Sequence, residues 1–375
     1  MSFRPFDMER WQSTYEHDVR YNLSESGVEP LTLGELMELA GLTSASVLAT
    51  ALEYNPSNGS PALRERIAAL YTGASPSQVL VTNGGAEANF VISWRICEDG
   101  GEIVYLAPNY MQVPGMAANW GCEARPWHLR EELDWQPDPG ELDELVSADT
   151  RLILVTNPNN PTGAILSEAT MERIVAAAER VGAWVLADEI YRGAELDGVE
   201  TASFWGRYDR VLISSGLSKA YGLPGLRLGW AVVPEELTGE LWARKDYTSI
   251  SMGSLSDKLA TEALRDDVRA KLRQRTRDIL NHNWPLLEEW MRGRGDVFSW
   301  HAPGAGAIVY CRYDLPIGGL ELAERLRTEA DCLIVPGEHF DMPGYVRLGF
   351  GPAASRLLEG LEGCAAVIDA VRVHA

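Results

Sequence analysis

Lys219 is the residue of this chain whose type and setting point most directly to chemistry. Only four of the 33 basic residues are lysines. Lys245, Lys258 and Lys271 lie in charged stretches with helical spacing, where a solvent-exposed helix face is the expected environment. Lys219 instead ends the glycine-containing segment Ser214-Ser215-Gly216-Leu217-Ser218-Lys219. In a buried, basic neighbourhood its pKa would be lowered, so we expect a nucleophilic amine that can form an imine.

Other polar motifs also follow apolar runs. Gly84-Gly85-Ala86 stands between a predicted strand and a predicted helix, where free backbone amides can bind a phosphate, although most such glycines are simply turns. Asn157–Gly163 has the composition of a rigid loop. Asp188, at the end of a buried strand, has the alternative role of a helix N-cap. Arg227, eight residues after Lys219, supplies a guanidinium suited to a phosphate.

The elements that must position these residues alternate along the chain. Short apolar runs predict strands at residues 79–82, 102–106, 151–155, 183–187, 210–214 and 228–233. Amphipathic segments such as 167–181 predict helices between them. This alternation predicts an α/β fold with a mainly parallel sheet flanked by helices, and such sheets bind ligands at the carboxyl ends of their strands.

The character of the sequence changes near residue 255. Residues 257–291 form a long charged region with helical spacing, and short strands are expected near 307–312 and 345–350. We therefore expect an N-terminal arm (1–45) that also contributes to the small domain, a large domain (46–255) and a smaller α+β domain (256–375). Within the arm, Thr32 and Glu35 predict a capping box at a helix start.

Composition disfavours several classes of protein. The net charge of −21 disfavours nucleic acid and anionic membranes as partners. The five cysteines and six histidines show no metal-ligand spacing, so we expect no metal and reduced thiols in a cytoplasmic protein. Residues 1–20 are polar and carry both charges, unlike a signal or transit peptide. No apolar run approaches the roughly 20 residues that span a bilayer.

Taken together, the motifs resemble those of the class I/II aminotransferase family. The resemblance covers roughly Tyr54 to the C-terminus, with the family's motif order and usual separations. Its motifs are Gly85, Asn160-Pro161-Thr162-Gly163, Asp188-Glu189-Ile190-Tyr191, Ser218-Lys219 and Gly225-Leu226-Arg227-Leu228-Gly229. It implies the aspartate-aminotransferase fold (fold type I), a mainly parallel seven-stranded sheet, the cofactor pyridoxal 5′-phosphate and a homodimer with shared active sites.

The resemblance also implies a role for each residue around the cofactor ring. Lys219 would hold the cofactor as a Schiff base and move the proton of the substrate Cα. Asp188 would keep the pyridine nitrogen protonated, so that the ring accepts electrons. Asn160 and Tyr191 would hydrogen-bond the phenolate oxygen, and Tyr110 would stack on the ring face.

Further residues are implied at the two ends of the site. Gly85, Ala86 and Arg227 would hold the phosphate, together with Tyr54 of the neighbouring subunit. Arg347 would bind the substrate α-carboxylate through two hydrogen bonds.

Three departures from the family pattern affect these expectations. Gly216 stands where a phosphate-binding serine is common, leaving Ser218 or Ser215 to replace it, and Ala86 lacks a hydroxyl. The usual early Gly-x-Pro-Asp segment is replaced by residues 21–27.

The N-terminal block with Trp11, Glu16 and Glu25 is similar to a branch that contains arginine oxidases and cyclases such as capreomycidine synthase. Its members act on L-arginine or hydroxyarginine, and arm carboxylates meet the substrate guanidinium. Glu16 and Glu25 would do so here, the alternative being that both are exposed helix-face charges.

Three functions follow as alternatives. The first is an aminotransferase that exchanges an amino group between an L-amino acid and a 2-oxo acid. The second is an arginine oxidase, cyclase, lyase or decarboxylase, because fold and cofactor do not fix which bond to Cα breaks. The third, a non-catalytic regulator with a fused DNA-binding module, is disfavoured because the motifs begin near Tyr54 without a preceding basic patch.

Overall fold

The structure is a computed structural model that describes residues 3–373. Its helices are α1 (Asp7–Tyr15), α2 (Leu33–Ala40), α3 (Ser44–Leu48), α4 (Pro61–Ala68), α5 (Gly85–Cys97), α6 (Gln112–Asn119), α7 (Pro139–Leu145), α8 (Glu168–Val181), α9 (Glu235–Lys245), α10 (Ser254–Ala263), α11 (Asp266–Arg292), α12 (Gly319–Glu329) and α13 (Ala354–Val373). Its strands are β1 (Tyr21–Asn22), β2 (Val79–Thr82), β3 (Glu102–Ala107), β4 (Glu123–Arg130), β5 (Gln136–Pro137), β6 (Thr150–Thr156), β7 (Trp184–Asp188), β8 (Val211–Gly216), β9 (Gly229–Val232), β10 (Phe298–Trp300), β11 (Ile308–Tyr313), β12 (Cys332–Leu333), β13 (Val335–Pro336) and β14 (Tyr345–Gly349).

The large sheet has the strand order β2-β9-β8-β7-β6-β3-β4-β5. Neighbours from β8 to β4 pair in parallel, whereas β9 runs antiparallel to both β2 and β8. This confirms the predicted α/β class and mainly parallel sheet. The eighth strand is the two-residue β5, which pairs antiparallel with the edge strand β4. Strand β4 escaped prediction because its residues are largely half-exposed and it lacks an apolar run.

Both faces of this sheet are covered, which explains the continuous apolar character of its strands. Successive residues of β6 point to opposite faces: Leu152 and Leu154 join one buried cluster, and Ile153 and Val155 join the other. Helix α5 packs on the first face and begins directly after β2. A ligand site can therefore form at the carboxyl ends of the strands, which neither layer of helices covers.

The C-terminal region forms a second sheet of four antiparallel strands in the order β10-β11-β14-β13. The N-terminal arm reaches it, because β1 pairs in parallel with β12 and the Gly349 amide donates to the Leu23 carbonyl at 2.7 Å. The predicted charged helical region is interrupted between α10 and α11, where Arg265 has an extended backbone and pairs with Glu262 and Asp267. The domain boundaries given above stay a prediction.

Two local predictions have different outcomes. The capping box is confirmed, since the Glu35 amide donates to Thr32 Oγ1 and the Thr32 amide donates to Glu35 Oε2. The predicted exposed face is wrong for Lys245, which is fully buried and donates to the Ser57 carbonyl at 3.0 Å and to the Ile250 carbonyl. Burial lowers the pKa of Lys245. Helical spacing could not reveal this, because the covering segment is distant in sequence.

Within residues 3–373, no helix is long and apolar enough to cross a bilayer. In the same range no cluster of three or more His, Cys, Asp or Glu side chains could hold a metal ion. Each of the five cysteines is free and buried. The cytoplasmic location stays a prediction.

Candidate active site

A cavity of about 530 Å³ lies where β3, β6, β7 and β8 end, and the first turn of α5 forms part of its wall. All but one of the predicted site residues line it, namely Glu16, Glu25, Gly85, Ala86, Tyr110, Asn160, Asp188, Tyr191, Ser218, Lys219, Arg227 and Arg347. The exception is Tyr54, which lies outside the cavity with 88% of its surface exposed. Its expected role in the site of a neighbouring subunit therefore remains a proposal.

Asp188 is a buried carboxylate at the end of β7 that faces the cavity. Asn89 Nδ2 donates to its Oδ2 at 2.9 Å, and the Ile190 amide donates to its Oδ1 at 3.1 Å. Among the described residues no cation pairs with Asp188. Burial raises the pKa of Asp188, and the two hydrogen bonds oppose that rise. A buried anion without a cationic partner is suited to a positively charged ligand group.

The first turn of α5 and the Arg227 side chain line the same cavity. Gly84 has φ 84°, a conformation that favours glycine, and Gly85 begins the helix with free backbone amides. A Cβ on Gly84 would lie 2.5 Å from the Arg227 guanidinium, so that guanidinium lies directly beside the helix start. A Cβ on Gly229 would lie 2.4 Å from the Gly84–Gly85 backbone. Backbone amides and a guanidinium at one helix N-terminus are groups that suit a phosphate.

The structure also explains why Gly216 replaces the serine expected there. A Cβ at this position would lie 2.8 Å from the Leu228 carbonyl oxygen and 3.1 Å from Gly229 Cα. Contacts this short would require a backbone shift of β9. Ser218 lines the cavity and supplies a hydroxyl nearby.

Lys219 contacts an unexpected partner. Its Nζ donates to Glu25 Oε1 at 2.5 Å. Burial, the largest single effect, lowers the pKa of Lys219, but the charge and hydrogen bond of Glu25 together with Tyr191 outweigh it, so the net shift is upward. The predicted lowered pKa of Lys219 is therefore wrong for the cofactor-free chain, because the sequence did not show that a carboxylate from the arm reaches it.

Arg347 and Tyr191 are fixed by polar contacts within the cavity wall. Arg347, which is 1% exposed, donates to Asn160 Oδ1 at 2.8 Å and to the Ser24 carbonyl at 2.5 Å. Tyr191 donates to Ser26 Oγ at 2.8 Å, and burial raises its pKa. These contacts hold the guanidinium in the cavity wall, where it can meet a carboxylate.

Helix α1 forms a further part of the cavity wall. Tyr110 donates to Glu9 Oε1 at 2.6 Å, and its ring contacts the Phe6 ring edge-on at 4.9 Å between centroids. Gln12 donates to the Ser24 carbonyl at 3.0 Å. Glu16 ends the helix and lines the cavity.

Several polar site residues were missed from the sequence, namely Glu9, Gln12, Ser26 and Asn89. The position of Asn89 in the site is predictable from helical spacing, because it lies four residues after Gly85 on the same face of the helix. Glu9 and Gln12 also share a helix face, but nothing in the sequence tells that this face meets the strand ends.

The residues around this cavity fit pyridoxal 5′-phosphate. Asp188 supplies an anion for the ring nitrogen, the first turn of α5 and Arg227 suit the phosphate, and Lys219 supplies an amine in the same cavity. The protein is therefore a pyridoxal-phosphate enzyme of fold type I. It belongs to the class I and II aminotransferase family, whose sequence model matches residues 37–362.

Similar proteins include both aminotransferases and enzymes with other names. Capreomycidine synthase of Streptomyces vinaceus is 31% identical over 370 residues, covering 98% of this chain and 94% of that protein. The aspartate aminotransferase of Streptomyces avermitilis is 27% identical over 327 residues, covering 82% of this chain and 80% of that protein.

Solved structures show the same mixture. A pyridoxal-phosphate-dependent aminotransferase from Streptococcus suis 89-1591 superposes with a TM-score of 0.92 at 32% identity, covering 99% of both chains. The pyridoxal-phosphate-dependent cyclase OrfR superposes with a TM-score of 0.90 at 26% identity, covering 100% of this chain and 99% of that one.

Proposed function

We propose that the protein is a pyridoxal-phosphate-dependent aminotransferase whose amino donor is an L-amino acid with a cationic side chain, such as arginine. The observation that carries this proposal is the composition of the cavity described above. Arg347 suits the α-carboxylate of an amino acid, and the Lys219 amine lies in the same cavity. Helix α1 and its C-cap residue add the carboxylates of Glu9 and Glu16.

The chain's residues divide the work of the reaction. The bound cofactor supplies an electron-accepting ring that stabilises negative charge at the substrate Cα. Asp188 keeps the ring nitrogen protonated, and Arg347 holds the substrate α-carboxylate through two parallel hydrogen bonds. Lys219 Nζ would hold the cofactor, and its free amine would then remove the Cα proton and deliver it to the accepting carbon.

The cationic end of the substrate is assigned to α1. Glu25 is engaged by Lys219, and Glu9 is engaged by the Tyr110 hydroxyl. Within residues 3–373, the one ion pair of Glu16 is a 3.6 Å contact with His17, whose side chain is 89% exposed. Glu16 is therefore the carboxylate that we expect to accept the substrate's guanidinium, with Glu9 as the second acceptor.

A cyclase or oxidase acting on L-arginine or hydroxyarginine is the second candidate. The family model begins at residue 37, whereas the alignment with capreomycidine synthase covers 98% of the chain and so includes most of the N-terminal arm. The arm supplies Glu9, Glu16 and Glu25 to the cavity. The likeness to this synthase thus includes the part of the chain that would select the substrate.

Product analysis separates the two candidates. The holo-protein is incubated with a panel of L-amino acids, including arginine and 3-hydroxyarginine, with and without 2-oxo acids and oxygen. Appearance of a new amino acid from the 2-oxo acid, with an equal amount of oxo acid from arginine, supports transamination. A cyclic product or oxygen uptake without an amino acceptor supports the second candidate and overturns the first.

Substrate selection by Glu16 is tested with a neutral substrate of similar length. For Glu16→Gln we expect kcat/KM to fall roughly tenfold or more for arginine and to change little for norleucine, because only arginine loses a charge-assisted hydrogen bond. Asp18→Asn is the matched control, since Asp18 is an exposed arm carboxylate outside the cavity. Equal losses for both substrates would contradict the assignment.

We also propose a homodimer in which Tyr54 of each copy reaches the phosphate in the other. Leu48, Leu52, Tyr54 and Tyr247 are each at least 84% exposed, which is unusual for large apolar side chains. Sedimentation of the holo-protein is expected to give a dimer, and Tyr54→Phe is expected to weaken cofactor binding. A monomeric wild-type holo-protein, together with unchanged cofactor affinity in Tyr54→Phe, would overturn this proposal.

A further inference from the structure

One oxygen of Glu25 accepts three hydrogen bonds. Lys219 Nζ donates to Oε1 at 2.5 Å, the Ser26 amide at 2.9 Å and the Gly27 amide at 2.8 Å. Two backbone amides therefore hold the carboxylate in place independently of the lysine. Burial would raise the pKa of Glu25, but the Lys219 charge and these hydrogen bonds lower it to about 2.

The surrounding backbone is shaped to this contact. A Cβ on Gly27 would lie 3.2 Å from Glu25 Oε1, 3.4 Å from the Ser218 carbonyl and 3.5 Å from Lys219 Cδ. Glycine at position 27 thus allows the arm to pass directly over the lysine stem. The two partners are 194 residues apart, so the contact is made by the fold and not by local sequence.

We propose that Glu25 is the positioning counter-ion of Lys219, holding its amine in place and stabilising the ammonium each time the amine carries a proton. The role during turnover rests on the proposed function, whereas the ion pair of the cofactor-free protein does not.

The proton balance of this role is simple. The free Lys219 amine takes the proton from the substrate Cα and becomes an ammonium, and the same proton then leaves Nζ for the accepting carbon. Glu25 stays ionised throughout, so it stabilises the ammonium without taking its proton. The other groups facing Lys219 are Tyr191 and Arg347. The cation of Arg347 opposes the ammonium, which leaves Glu25 as the anion that offsets it.

The first test uses the cofactor-free protein and therefore does not depend on turnover. Trace acetylation at a series of pH values, read by peptide mass spectrometry, gives the protonation midpoint of Lys219. The chain's four lysines make this assignment direct. A lysine peptide in the same tube serves as reference.

In the wild type we expect the Lys219 midpoint to lie above that of the reference peptide. In Glu25→Gln we expect it to fall, with acetylation of Lys219 at neutral pH rising about tenfold. Glu16→Gln is the matched control, because it removes a carboxylate of the same cavity that does not touch Lys219. A wild-type midpoint at or below the reference overturns the inference without any variant, as does an equal shift in both variants.

The second test addresses turnover. Exchange of the substrate Cα hydrogen in D₂O is followed by NMR for holo wild type, Glu25→Gln and Glu25→Asp. We expect exchange to slow about tenfold in Glu25→Gln and to recover partly in Glu25→Asp, which keeps the charge. Unchanged exchange in Glu25→Gln overturns the proposed role. If the wild type exchanges no amino acid, the proposed function fails, while the acetylation result still decides the ion pair.

Discussion

Asn89 offers the sharpest test of how the cavity holds the cofactor ring. Its Nδ2 donates one of the two hydrogen bonds that Asp188 accepts, and both side chains are buried. Asn89→Leu keeps a similar volume and removes that donor. A hydrogen bond to a charged group contributes about 1.5–3 kcal/mol. Since about 1.4 kcal/mol is a factor of ten, we expect cofactor affinity to fall roughly ten- to a hundredfold.

The expected fall in cofactor affinity follows from the protonation state of Asp188. Burial raises the pKa of Asp188 and the Asn89 hydrogen bond opposes that rise, so removing the bond favours the neutral acid further. A neutral carboxyl cannot pair with a protonated ring nitrogen. Because a group with a raised pKa ionises at higher pH, the affinity lost in Asn89→Leu should be partly regained as pH rises.

The assay is an absorbance titration of the cofactor-free protein with pyridoxal phosphate and with an analogue that has carbon in place of the ring nitrogen. The analogue cannot be protonated there, so its affinity should be insensitive to Asn89→Leu. Ser93→Ala is the matched control, because Ser93 is buried on the same helix and its hydroxyl has no partner among the described residues. Equal losses for cofactor and analogue would show a packing defect and refute the reasoning.

Three further predictions concern other parts of the site and its support. Arg347→Lys should raise KM for an amino acid roughly tenfold, because one of two parallel hydrogen bonds is lost, while kinetics with the decarboxylated amine stay unchanged. Burial raises the pKa of Glu189 from 4.5 to about 7. The free energy of unfolding should therefore fall by roughly 3 kcal/mol as pH rises from 4.5 to 7, because over this range the unfolded chain releases the proton that the native carboxyl keeps. Urea unfolding of Glu189→Gln should not show this fall. Gly229→Ala places a Cβ 2.4 Å from the Gly84–Gly85 backbone and should cost about 1–3 kcal/mol of unfolding free energy together with weaker phosphate binding.

The fold and the cofactor end of the site were predictable because they depend on local patterns. Apolar runs alternating with amphipathic helices predict the parallel sheet, and strand ends of such a sheet converge. Asp188 and Lys219 end or follow neighbouring strands β7 and β8, so their proximity follows from topology alone.

What could not be predicted depends on contacts between distant segments. Lys245 has the spacing of an exposed helix residue, but the segment containing Ser57 covers it. Glu25 lies in an irregular stretch whose path is set by pairing of β1 with β12, about three hundred residues further along the chain. No periodicity in the sequence shows that Glu25 lies beside Lys219. The sequence therefore predicts the wrong direction for the pKa shift of Lys219.

Three consecutive residues of the arm contact three groups of the site, and this bears on which reaction follows. Ser24 accepts from Arg347, Glu25 accepts from Lys219, and Ser26 accepts from Tyr191. This segment stands where the family's Gly-x-Pro-Asp motif is usual. The bond that breaks at Cα depends on how the substrate is oriented and on where the proton is held. A segment that contacts both Arg347, proposed to bind the carboxylate, and Lys219, proposed to carry the proton, can influence both. Exchanging residues 24–26 therefore tests reaction specificity more directly than any change to the cofactor-binding residues, which a transaminase and a cyclase would both need.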